Sequence, residues 1–182
     1  MRSSLSTIKS LVYATIVRPQ GLLNDESSRN DVKLSNLIFI LWAVLGSIEA
    51  SIEDFVEYYF ITFPIYILLF FGILKYILPV IYQSVGRIWK GNSSIVEMRM
   101  AVALSLVPQI IFSPILLTTL VFWDEFSTSN RGLSYLVNLW SFILLILYIK
   151  KVQGFSNQLA ILNVVLPALV GVVLVYLLVS LT

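Results

Sequence analysis

The chain has 182 residues, 58% apolar and 12% charged, with a net charge of +2 and neither Cys nor His. The apolar share exceeds the roughly 45–50% of a soluble domain and corresponds to about five bilayer-crossing helices. This excludes a soluble globular enzyme, a disordered chain, disulfides, Cys nucleophiles, His-based triads and thiolate or imidazole metal sites, and the small charge argues against nucleic acid as a partner.

Residues 1–31 are polar enough to stay outside the bilayer. Within Ser3–Val17, Leu5, Ile8, Leu11, Val12 and Ile16 fall at helical spacing. That pattern predicts a short amphipathic helix lying on the membrane surface. A cleaved signal peptide is the rival, but its apolar core would be only Leu11–Val17, followed by Arg18-Pro19 instead of small residues. Pro19-Gln20-Gly21 ends the helix, and Asn24–Asp31 reads as a charged loop.

Five apolar segments follow, over about 32–48, 58–82, 100–123, 133–149 and 158–181. None alternates as a barrel strand would. Helices satisfy their own backbone groups in lipid, so residues 32–182 are expected to form an all-α bundle of five transmembrane helices. Lys and Arg set its orientation. With the N-terminus inside, Arg2, Lys9, Arg18, Arg29, Lys33, Arg87, Lys90, Arg99, Lys150 and Lys151 all fall inside, and only Arg131 falls outside. Glu49, Glu53, Asp54, Glu57, Asp124 and Glu125 collect on the outer side. The expectation is N-terminus in, C-terminus out. Internal repeats, low-complexity tracts and soluble domains are not evident.

Three stretches carry a family resemblance. Gly86–Pro108, GRIWKGNSSIVEMRMAVALSLVP, holds a glycine-containing loop with Gly91, Ser93 and Ser94, then Pro108 about fifteen residues on. Leu139–Gly154, LWSFILLILYIKKVQG, has a Trp at the head of an aliphatic run and a basic loop ending in Val-Gln-Gly. Val17–Leu22, VRPQGL, places a proline ahead of the first span. In order and spacing these resemble the Yip family, five-span membrane proteins named for binding Ypt/Rab GTPases. The resemblance covers roughly two thirds of the chain. It implies membrane organisation or trafficking, through protein or lipid partners. The N-terminal region is shorter than in eukaryotic members and resembles compact prokaryotic versions. The implied location is the plasma membrane in a prokaryote or the Golgi and ER in a eukaryote.

Several residues invite a chemical reading. Lys75 is the one ionisable group well inside an apolar run. It either snorkels to the interface or meets a buried partner or lipid phosphate. Asn36, Gln109, Asn138 and Asn163 are amides in or near spans. They either bond neighbouring helices or line a polar cavity. Pro64, Pro79, Pro108, Pro114 and Pro167 each free a backbone carbonyl, and Pro108, Pro114 and Pro167 are candidate kinks. Arg87, Lys90, Arg99, Lys150 and Lys151 form a candidate basic cytosolic face, attractive to anionic lipids. Glu53, Asp54 and Glu57 lie on an amphipathic outward segment without calcium-loop spacing. Asn92-Ser93-Ser94 matches a glycosylation sequon on what would be the inner side.

No catalytic set or cofactor motif is present. The preferred reading is a non-enzymatic scaffold or adaptor that binds membrane lipids and other membrane proteins, with a homodimer compatible. The alternative is a small transport protein or permease subunit, its bent third and fifth helices enclosing Gln109, Asn138 and Asn163. A polar cavity between helices would distinguish it from a filled bundle.

Overall fold

A computed structural model describes residues 28–53, 59–122 and 127–180. The amphipathic stretch Ser3–Val17, the VRPQGL segment and the outward acids Asp54, Glu57, Asp124 and Glu125 lie outside the described residues. Every regular element within them is helical. Helix α1 spans Ser28–Glu53 and α2 spans Tyr59–Gly72; a π-helical turn, Ile73–Ile77, joins α2 directly to α3, Leu78–Ile88. After a short loop come α4, Ile95–Ser105, and α5, Val107–Phe122, then α6, Ser127–Gln153, and α7, Asn157–Ser180.

Among the described residues four stretches are long and apolar enough to cross a membrane: Val32–Ala50, Ile61–Ile88, Ile95–Thr118 and Gly132–Gln153. The apolar stretch Asn157–Val173 of α7 is shorter. Several boundaries differ from the sequence expectation, two of them for a visible reason. The second span runs on past Tyr82 to Ile88, because Tyr82 and Gly86 are buried and Gln83 is half-buried against the bundle. The third starts at Ile95 instead of Met100, because Ser94 caps α4. Its Oγ accepts from the Glu97 N–H at 3.2 Å, and a Glu97 carboxylate oxygen accepts from the Ser94 N–H at 2.7 Å. This reciprocal arrangement satisfies two of the free donors at a helix start.

Helix α4 is the centre of the bundle, with α1, α3 and α6 packed around it. Every residue from Met100 to Pro108 is buried. Ala101, Ala103 and Ser105 keep its surface low, which lets neighbouring helix backbones approach closely without a hydrophobic driving force between helices. Phe39 of α1, with Leu144, Tyr148 and Ile149 of α6, fills in around it. The outer surface is the inverse of a soluble protein's. Ile61, Ile65, Leu68 and Leu69 of α2, and Leu169, Val172 and Val173 of α7, are exposed. Such contiguous apolar faces suit acyl chains.

The prolines act unequally. The third span is interrupted at Leu106, two residues before Pro108. Pro108 has no N–H for the carbonyl four residues back, and the Leu106 N–H turns to the Ala103 carbonyl at 3.1 Å. Helix α5 continues through Pro114, and α7 continues through Pro167.

Candidate functional site

Three polar constellations stand out. The first joins two of the motif stretches at one end of the bundle. Helix α3 stops in a left-handed turn at Lys90, φ 62°. The Lys90 N–H donates to the Arg87 carbonyl and the Gly91 N–H to the Gly86 carbonyl, both at 3.0 Å. Helix α6 stops in the same manner at Gly154, φ 70°, with the Phe155 N–H on the Lys150 carbonyl at 3.0 Å. These crossed bonds are the Schellman arrangement, which satisfies the last carbonyls of a helix.

The two stops place Gln153 between Gly86 and Gly91. A Cβ on Gly86 would lie 2.1 Å from Gln153 Nε2, and one on Gly91 would lie 2.0 Å from Oε1. Only glycine leaves room for this amide. The Ser93 N–H points at Gln153 Oε1 at 3.5 Å, and Gln83 Nε2 donates to the Ser93 carbonyl at 2.9 Å. Gln153 and Ser93 are both buried, while Arg87, Ile88 and Lys90 on the surrounding rim are exposed. Lys150 and Lys151 are half-buried. Arg99 leaves this basic set and turns inward along α3.

The second constellation surrounds Lys75. Pro79 has no N–H, so the Lys75 carbonyl loses its intrahelical partner. The helix responds with a π-turn, in which the Leu78 N–H reaches back to Ile73. Arg99 Nε donates to the freed Lys75 carbonyl at 3.1 Å. The Lys75 ammonium lies 4.9 Å from the Phe71 ring centroid and 5.1 Å from that of Tyr76. The Arg99 guanidinium lies 5.5 Å from the same Tyr76 ring. Cations so placed are attracted to the ring faces.

The third lies further along the bundle. Trp42 Nε1 donates to Gln109 Oε1, Gln109 Nε2 donates to Asn138 Oδ1 at 2.9 Å, and Asn138 Nδ2 approaches Ser134 Oγ at 3.4 Å. These residues, with Glu49, border a cavity of about 230 Å³ that is partly open to the surface. It is smaller than the roughly 300–1,000 Å³ of a small-molecule pocket. Asn163 does not border it. That residue is fully buried on α7, and neither of its amide atoms has a hydrogen-bond partner among the described residues. Asn36 is half-buried on α1. Thus two of the four amides meet, and neither of the two meets Lys75.

Sequence reasoning did not single out Trp42, whose indole N–H needs an acceptor inside a bilayer and therefore signals a polar neighbour. It named Gln153 only as part of Val-Gln-Gly. Among the described residues no group of three or more His, Cys, Asp and Glu side chains could hold a metal ion.

Several long apolar helices and a lipid-suited exterior around a tightly packed core define a multi-pass integral membrane protein. Residues 15–178 match the Yip1 domain family, and the chain belongs to that family. No curated protein and no solved structure matches the chain.

Proposed function

We propose that this Yip-family chain is a non-enzymatic membrane adaptor. It spans the bilayer five times, with its N-terminus inside, and presents the Gln153 end of the bundle to the cytosol as a docking platform. The observation that carries this reading is the Gly86–Gln153–Gly91 slot. It fixes two distant segments as one rigid surface, ringed by exposed Arg87, Ile88 and Lys90. A basic rim around this fixed slot suits an acidic protein surface, and electrostatic complementarity raises encounter rates. The Yip family is not known as an enzyme family.

A second reading is favoured by one feature, the cavity at Gln109 and Asn138. A small polar solute passing between helices would need such a site. The absence of Asn163 from its lining and the mutual pairing of its amides weigh against that role. The test is in-membrane crosslinking of the intact protein, followed by mass spectrometry of bound proteins and small molecules. A stoichiometric protein partner supports the adaptor. A retained polar solute, lost on Gln109→Leu, with no protein partner, supports transport.

A further inference from the structure

The Lys75 constellation has more positive charge than the bundle around it neutralises. Two cations gather on one tyrosine ring. Glu97, two residues before Arg99 on α4, is engaged by the Ser94 N–H and by Ser94 Oγ at 2.8 Å. Among the described residues Lys75 Nζ has aromatic faces and no acceptor, and the Arg99 Nη groups have no acceptor either. A cation at membrane depth without an anion is costly.

The surroundings specify the missing anion. Arg99 is five residues, about 7.5 Å, into α4 from its exposed Ser94 cap, which is interfacial depth. Tyr76, Ile77 and Val80 are 51%, 51% and 48% exposed. The cations therefore open onto an apolar outer face, where a ligand with acyl chains can lie. Tyrosine at that level suits the headgroup zone. The π-turn supplies the geometry. It adds a residue to the helix and spends Arg99 Nε on the freed carbonyl, which leaves the guanidinium Nη edge for the ligand.

We propose that Lys75 and Arg99, gathered on the exposed ring of Tyr76 at the π-turn, form a binding site for the phosphate of an anionic phospholipid. This assignment is independent of the adaptor reading, because the site is built from α2, α3 and α4 and does not use the Gln153 slot.

Native mass spectrometry of the full chain, titrated with phosphatidylglycerol or with phosphatidylcholine of the same acyl chains, tests it. One phosphatidylglycerol should bind in preference to phosphatidylcholine. Lys75→Gln and Arg99→Gln should each weaken it about fivefold, as expected for one interfacial cation. Lys75→Arg should retain binding. Arg99→Gln also removes the bond to the Lys75 carbonyl, so its melting temperature is read alongside. Lys75→Gln keeps that bond and decides the matter if the Arg99 variant fails to fold. Equal binding of the two lipids, or a Lys75→Gln variant that binds like the parent, would overturn the site. Inorganic phosphate binding as tightly, with the same Lys75 dependence, would assign it to a free anion and overturn the lipid.

Discussion

Adding one methyl group at Gly86 tests why the two motif stretches meet. In Gly86→Ala the new carbon would fall 2.1 Å from Gln153 Nε2 and 2.7 Å from its Cδ. Ordinary carbon contacts lie near 3.5–4.0 Å. The amide has no room to retreat, because Gly91 closes the other side and Gln153 is only 5% exposed. It must leave the slot, and overpacking of this kind costs about 1–3 kcal/mol. Gln153→Ala behaves differently. It gives up one buried methylene, at roughly 0.8 kcal/mol, and the long contact from the Ser93 N–H to Oε1. It also removes Nε2, which is buried without a partner among the described residues and carries a penalty of about 1–3 kcal/mol. The two terms nearly cancel, so this change should fall within about 1 kcal/mol of the parent. In the Gln153→Ala background the Gly86 methyl meets empty space and should cost almost nothing. The double variant should therefore be less destabilised than the sum of the singles by about 1–3 kcal/mol. Thermal unfolding in detergent, followed by tryptophan fluorescence, measures all four proteins. Additivity within about 0.5 kcal/mol would refute the slot, since uncoupled sites add to that precision.

Other consequences are open to similar checks. Lys90 occupies a left-handed position that disfavours L-residues by about 1–2 kcal/mol, so Lys90→Gly should raise the melting temperature. Trp42→Phe removes the donor to Gln109 and should destabilise the bundle by about 0.6–1.7 kcal/mol, with a smaller effect once Gln109 is Leu. Ser94→Ala breaks the reciprocal cap of α4 and should cost about 1 kcal/mol, measured in the same melts. Because the chain has no Cys, a single Lys90→Cys gives a clean topology probe. In oriented cells or vesicles it should be shielded from an impermeant thiol reagent added outside, whereas Asp124→Cys should react.

The presence of apolar helices was legible because hydropathy in a bilayer is a property of segments, and segments of about 20 residues leave little choice. Their ends were less so. Gln83 reads as the end of a span, yet α3 continues because Gln83 turns to the Ser93 carbonyl. The Ser94-Ile95-Val96-Glu97 box is a start signal visible in the sequence, and it places the third span five residues earlier than hydropathy does. Pairings between helices were not legible. Gln109 and Asn138 stand 29 residues apart, and only the relative rotation of α5 and α6 brings them together. Asn163 has the same chemistry but points elsewhere. Lys75 was visible as an intramembrane charge. Its association with Arg99 depends on the carbonyl that Pro79 frees, a backbone effect that a list of charged residues does not contain.

The adaptor reading rests on the Gln153 end being the surface that meets a partner. Its most direct test is a photo-crosslinking residue placed at Ile88, 72% exposed on that rim, and separately at Leu68, 73% exposed on the apolar flank. After illumination in intact membranes, mass spectrometry identifies the adducts. The account predicts one stoichiometric protein adduct from position 88 and lipid adducts from position 68. Lipid adducts alone from both positions would contradict it.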